Sequence, residues 1–337
     1  MRNKNRMDEE PHVIGEGTYG CVVKPPVSCK KSRLSKKSKS RAIGKILRLR
    51  NAKVEMKMST YLKGIPGWER YYIVEEKDNC SPSNFKEYKQ TYQTQCQQLH
   101  KIPDEKLVQL LAPYGGKMLF ETSITPRFDF LQSLKHMLES IAKLEKQGIC
   151  HFDLHDGNIL VDYNGTLRII DFGSAFIGDQ STEETVTQHT YEFSPDYPPL
   201  SPEITIQQGL VQGVSLPLAI YQTIEKKRIF TRAESILGLT KHEQKNDLYS
   251  FFSSFDNDYV KLYKTYWRKW DSWAIGVLFT KILEKSFLLP SFVATTWKRN
   301  GPAIRSLLKG LVQADPRKRL SGQEALELFN KTISYDE

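Results

Sequence analysis

At 337 residues, with 39% apolar and 26% charged residues, the chain has the composition of a folded protein and room for two domains of ordinary size. No apolar run approaches the roughly 20 residues of a membrane span, the opening residues lack the core of a signal peptide, and the five cysteines are odd in number without a Cys-x-x-Cys pair. These features argue against a membrane protein, a zinc knuckle and a disulfide framework, and point to a reducing interior, cytoplasmic or nuclear, rather than secretion.

The formal charge of +10 favours acidic partners without naming one. Much of it lies in Cys29 to Arg41, where seven of thirteen residues are basic. This stretch reads as a solvated loop, with docking to an acidic partner or nucleic acid as the alternative.

In chain order, His12 to Lys24 reads as two short strands around a glycine-rich turn, and Arg41 to Leu49 as a third strand. Ala52 to Leu62 has helical spacing; Tyr71 to Glu75 and Leu107 to Leu111 read as further strands. After Pro113-Tyr114-Gly115-Gly116, apolar residues at Phe130, Leu131, Leu134, Leu138, Ile141 and Leu144 repeat with helical period within Phe128 to Gln147, closed by Gly148. A hairpin is expected around Ile159 to Ile170, turning at Asn164-Gly165. The remainder alternates helices with loops.

Three segments carry chemistry. Gly15-Glu16-Gly17-Thr18-Tyr19-Gly20 sits where a strand turns back, and lets backbone approach something closely. Phosphates suit it, although tight hairpins share the spacing; the strand that follows, rather than a helix, argues against a dinucleotide fold. Lys45 lies in an otherwise apolar strand, where a buried ammonium needs an anionic partner; Glu55 on the next helix, or ATP phosphates, would serve, and an edge lysine facing solvent is the plainer reading. The run His151-Phe152-Asp153-Leu154-His155-Asp156-Gly157-Asn158, followed by Asp171-Phe172-Gly173, supplies Asp153, Asn158 and Asp171. Those are the hard oxygens for Mg²⁺ and the carboxylate for an attacking hydroxyl that phosphoryl transfer requires.

Together these segments resemble the signature set of the eukaryotic protein kinase family. The resemblance implies an α+β, bilobal kinase fold, with a small, mainly antiparallel β lobe bearing one helix and a larger, mainly helical lobe. On that division residues 1–11 form a tail, 12–113 the first lobe with the basic loop at 28–41, and 114–337 the second lobe. ATP would be covered by Ile14 to Val22, including Glu16, Thr18, Tyr19 and Cys21, with Ile14, Val22, Ile43 and Leu160 around the adenine and Tyr114 in the hinge. Lys45 would hold the α- and β-phosphates and pair with Glu55, Asp153 would be the catalytic base with His155 beside it, and Asn158 and Asp171 would hold Mg²⁺. Two ions are implied, with Mn²⁺ a substitute. Ser201-Pro202-Glu203, Asp271-Ser272-Trp273-Ala274-Ile275-Gly276 and Asp315-Pro316-Arg317-Lys318-Arg319 resemble later family motifs, Arg319 pairing with Glu203.

The resemblance thus implies an ATP-dependent serine/threonine kinase acting on a protein substrate that the sequence does not identify, with no membrane partner. The catalytic loop lacks the triplets that tyrosine kinases carry after the base. An inactive scaffold and a small-molecule phosphotransferase are the competing readings. Phe152 replaces the family's usual arginine and His155 its usual lysine, a pattern also similar to haspin-like kinases, aminoglycoside phosphotransferases and kinases of large DNA viruses. Ser59 stands four residues after Glu55 where an apolar residue is usual, small Ala112 falls at the gatekeeper position, and about 205–265 is a long insertion, rich in aromatic residues and expected to pack as extra helices. Without the arginine, a phosphate on the activation segment would lack its usual partner, so the enzyme is expected to be active as synthesised.

Overall fold

The computed structural model describes residues 10–17, 20–29, 42–75, 79–82 and 95–334. Thr18, Tyr19 and nearly all of the basic segment, 30–41, lie outside the described residues. The chain divides into two compact units. The first comprises Met1–Gly116 and Ile170–Gly173, the second Lys117–Ile169 and Ser174–Glu337.

The first unit is built on an antiparallel sheet of order β1-β2-β3-β5-β4, from β1 (His12–Gly17), β2 (Gly20–Lys24), β3 (Ala42–Arg48), β4 (Asn79–Cys80) and β5 (Leu107–Pro113). Period-two alternation splits β3 between two faces. Val22, Ile43 and Lys45 share the half-exposed face, Val22 lying opposite Lys45, while Cys21, Val23 and Ile46 enter a core with Val27, Leu99 and Leu107. On the Lys45 face, Leu47, Val108 and Leu110 pack with Ala52 of helix α1 (Leu49–Lys63). Gly20 is required by this sheet: a Cβ there would stand 2.3 Å from the Ile46 carbonyl oxygen.

Two expectations fail in this unit. Tyr71 to Glu75 is not a strand; it follows a 3-10 turn at Trp68–Arg70, and the strand beside β5 is Asn79–Cys80. Tyr71, Tyr72, Val74 and Glu75 are all buried rather than alternating, and Tyr72 packs edge-on against Phe172 at 5.8 Å. The β-branched and aromatic content that suggested a strand is used for enclosure. The cysteine reading is also corrected: Cys21 is bonded to Cys96 and Cys29 to Cys80, across 75 and 51 residues, with Cα separations of 5.7 and 5.6 Å. Parity and local spacing could not register such distant partners. The odd cysteine, Cys150, is a buried free thiol in the second unit.

The second unit is mainly helical. A short helix α2 (Gln97–His100) precedes β5 in the first unit; α3 (Phe130–Lys146) opens the helical part of the second, capped by the Asp129 carboxylate accepting from Gln132 N. Small sheets flank the loop 151–158: β6 (Lys117–Met118), β8 (Ile159–Val161) and β9 (Leu167–Ile169) in the order β6-β8-β9, and β7 (Ile149–Cys150) with β10 (Phe176–Ile177). The expected hairpin is present, with Asp162 accepting from Asn164 N and Thr166 N across the turn.

Helices α4 (Glu183–Gln188), α5 (Pro202–Val211), α6 (Leu216–Lys226), α7 (Arg228–Arg232), α8 (Lys241–Ser253) and α9 (Tyr259–Tyr266) follow. The central helix α10 (Trp270–Ser286) is buried along most of its length, and α11 (Pro290–Phe292), α12 (Lys298–Leu311) and α13 (Gly322–Thr332) complete the unit. The insertion therefore contributes helices, and its Phe251, Phe252, Tyr263 and Trp267 are buried.

Candidate active site

In the first unit Lys45 has two anionic partners. Its Nζ lies 2.8 Å from Glu55 Oε1 and 2.9 Å from Asp171 Oδ1. Burial alone would lower the Lys45 pKa, but the charges of Asp171 and Glu55 outweigh it and hold the ammonium above the ordinary lysine range. The plainer reading of Lys45 as a solvent-facing edge lysine is excluded by its pairing.

Asp171 takes φ +62°, a left-handed conformation uncommon outside glycine, and its Oδ1 also accepts from Gly173 N at 3.3 Å. Ser59, unusual in type, donates to Glu75 Oε2 at 2.6 Å. Glu75, buried and held through its carbonyl by Lys63, was missed by sequence reading because nothing in its local pattern marks it. Elsewhere in this unit Ile14 and Tyr114 are exposed, and the Lys24 ammonium stands 3.5 Å from the Tyr114 ring centre. Ala112 is buried opposite Ile43.

In the second unit the loop between β7 and β8 is shaped from beneath. Asp271 of α10 accepts from His151 N at 2.8 Å and Phe152 N at 3.0 Å, and the Cys150 thiol lies 3.8 Å from the same carboxylate. Asp153 then faces three neighbours. Asn158 Nδ2 donates to the Asp153 carbonyl at 2.9 Å and approaches its Oδ2 at 3.4 Å; His155 Nε2 lies 4.0 Å from the same Oδ2 while its Nδ1 accepts from Gly157 N. The Tyr197 hydroxyl donates to Oδ1 at 2.5 Å. Burial and the Asp153 charge push the Tyr197 hydroxyl far above its usual range, so it remains a donor. Leu160, expected at the adenine, is 8% exposed on β8.

Tyr197 was not singled out from the sequence, since 44 residues separate it from Asp153 and no spacing rule joins them. Its backbone is fixed on both sides: the Lys227 ammonium donates to its carbonyl and Trp273 Nε1 to the Pro198 carbonyl at 3.1 Å.

Phe152 has φ +70° and its ring packs against Phe176, His189, Tyr263 and Trp270 at centroid distances of 5.0–6.1 Å. His189 is tied by its two ring nitrogens to the Thr185 and Ser174 carbonyls. The residue that lacks the usual charge thus joins the loop 151–158 to Phe176 and His189 and to Tyr263 of α9.

Glu203 and Arg319 form a fully buried two-pronged pair, Nη1 to Oε1 at 2.9 Å and Nη2 to Oε2 at 2.8 Å, with Trp270 Nε1 donating to Oε1 at 2.9 Å. Removing one partner of such a pair costs about 3–5 kcal/mol.

A model of the protein kinase domain matches residues 9–329. The chain belongs to the protein kinase family. It is 25% identical over 239 residues to the serine/threonine-protein kinase YPK2/YKR2 of Saccharomyces cerevisiae, covering 69% of this chain and 28% of that protein. It is 29% identical over 188 residues to the serine/threonine-protein kinase STK11 of Gallus gallus, covering 56% of this chain and 32% of that protein. The chain thus spans about a third or less of the length of these relatives. No helix among the described residues is long and apolar enough to cross a membrane.

Proposed function

We propose that this chain transfers the γ-phosphate of ATP to serine or threonine hydroxyls of a protein substrate. The observation that carries the reading is Lys45, a half-buried ammonium paired at once with Glu55 and Asp171. Burying the Glu55 carboxylate is costly, and a scaffold without catalysis has no need of this pairing together with Asp153 and Asn158. The Glu203–Arg319 pair, which in the family shapes the platform for a protein substrate, argues against a small-molecule phosphotransferase.

Among the described residues no cluster of three or more His, Cys, Asp or Glu side chains could hold a metal by itself. The oxygen donors available are the Asp171 carboxylate in the first unit and the Asn158 amide in the second, whose Nδ2 is spent on Asp153. Hard oxygens of this kind fit Mg²⁺, which when bound to ATP neutralises phosphate charge. Lys45 would hold the α- and β-phosphates, its own position fixed by Glu55. Asp153 would accept the proton of the substrate hydroxyl as that oxygen bonds to the γ-phosphorus and the bond to the β–γ bridging oxygen breaks, releasing ADP. Its Oδ1, already accepting from Tyr197, retains a lone pair for this purpose. Ile14, Val22, Ile43, Leu160 and Tyr114 would line the nucleotide base.

The test is incubation with labelled ATP, Mg²⁺ and a mixture of acidic, basic and tyrosine-containing proteins, followed by phosphoamino-acid analysis. Phosphoserine and phosphothreonine are expected. Phosphotyrosine as the main product would overturn the hydroxyl class, and no labelled protein would overturn the kinase reading.

A further inference from the structure

A cavity of about 710 Å³ opens beside the catalytic loop within the second unit. One wall is Tyr197, Pro198 and Pro199, and its floor is apolar, from Ile229, Val277 and Leu278. Tyr197 is also the residue whose hydroxyl touches Asp153 Oδ1, so the cavity begins one side chain away from the proposed base. An extended chain advances about 3.3 Å per residue. A peptide that delivers a hydroxyl to Asp153 therefore places a neighbouring residue within reach of this space.

The charge on the lining is uneven. Lys226, Arg228, Arg232 and Lys281 face Asp156 and Asp196, four cations against two carboxylates. Lys281 is held by Asp156 at 2.7 Å, and Arg232 by Glu284, outside the lining, at 2.7 Å. Lys226 and Arg228 are exposed and have no salt-bridge partner among the described residues. The charge of Asp196 acts on buried Lys227, outside the lining. The two prolines of the wall have no N–H to offer an anion, so recognition falls to the side-chain cations.

Resting on the kinase reading above, we infer that this cavity is an acceptor-peptide subsite that takes an anionic side chain flanking the phosphorylated hydroxyl. The substrate class is thereby acidic rather than basic. Carboxylate and phosphate share the required chemistry, so aspartate, glutamate or a residue already phosphorylated would each fit.

The test uses serine peptides identical except for aspartate, phosphoserine, alanine or lysine beside the acceptor. They are compared on the wild-type chain and on the double variant Lys226→Glu/Arg228→Glu, which changes only exposed positions. Wild type should favour the aspartate or phosphoserine peptide over the lysine peptide by about ten-fold or more in kcat/KM, chiefly through KM, as two exposed charges would give. The double variant should lose that preference while turnover of the alanine peptide stays within a few fold. Whichever anionic peptide leads separates a carboxylate site from one that reads prior phosphorylation.

Peptide binding by fluorescence anisotropy without ATP keeps the two readings distinct. The anionic peptides should bind more tightly than the lysine peptide, and less so as salt rises. That order without any phosphotransfer would refute the catalytic reading and leave the subsite standing. Lysine peptides that bind and react as well as the anionic ones, or a preference unchanged in the double variant, would overturn the subsite.

Discussion

Lys227 is 1% exposed, and its ammonium donates to the Tyr197 carbonyl. Burial pulls its pKa down to about 7, with Asp196 and Glu203 opposing. An unfolded lysine titrates near about 10.4, so between about pH 7 and 10 the unfolded chain binds the proton that the folded chain has released. Stability contributed through Lys227 must then rise with pH across this window, with a slope of at most about 1.4 kcal/mol per pH unit. Denaturant unfolding at several pH values should show that rise in wild type relative to Lys227→Met, whose absolute stability falls through the lost hydrogen bond. Parallel profiles for the two proteins would mean that Lys227 stays charged when folded.

Residues of this kind mark the limit of what the sequence could disclose. Lys45 was legible because an ammonium in an apolar strand demands an anion, and Glu55 because the next helix supplied one. Asp153, Asn158 and Asp171 were legible as candidates because their order and types resemble those of a phosphoryl-transfer loop. Tyr197, Glu75 and Lys227 were not, since each acquires its role only from a neighbour distant along the chain.

Among the elements, the activation segment bears most directly on regulation. It is fastened at many points by side chains of its own and of neighbouring helices. Asp179 accepts from Trp267 Nε1 and Arg268, Gln207 donates to Thr190, and Gln212 donates to the Tyr191 carbonyl. Gly178 lies so close against Trp267 that a Cβ would come within 2.1 Å of its ring. Thr182 and Thr185 cap α4 reciprocally, and the Phe152 cluster closes the inner side. We therefore propose that the enzyme is active as synthesised. Phosphatase treatment of the purified protein should leave peptide turnover nearly unchanged; a fall beyond about 30-fold, roughly 2 kcal/mol in barrier, would show that phosphorylation controls it.

The strands and helices with clear period were legible, among them β1, β2, β3, β5 and α3. Tyr71 to Glu75 was misread because its β-branched and aromatic content suits a strand, whereas Tyr71, Tyr72, Val74 and Glu75 are all buried as a non-strand segment. The insertion was expected as packed helices, but its link to the catalytic loop through Tyr263 and Phe152 required the tertiary structure.

For the whole molecule, two units carry separate parts of the proposed machinery: Lys45, Glu55 and Asp171 in the first, Asp153 and Asn158 in the second. The return of Ile170–Gly173 to the first unit was not legible, because chain order places it among residues of the second. Nor were the two disulfides, which join the first unit's segments over long loops. The excess positive charge was visible as a total, yet the cations proposed to bear on substrate choice are gathered by α6, α7 and α10 around one cavity.

The central claim is that these parts perform phosphoryl transfer, and it is tested most directly by steady-state turnover of a serine peptide in wild type, Asp153→Asn and Asp171→Asn, with nucleotide affinity measured alongside. Asp153→Asn should bind ATP within a few fold of wild type and lose about 100-fold or more in turnover, the scale of a general base, and Asp171→Asn should be similarly impaired. Full turnover in either variant would contradict the assignment.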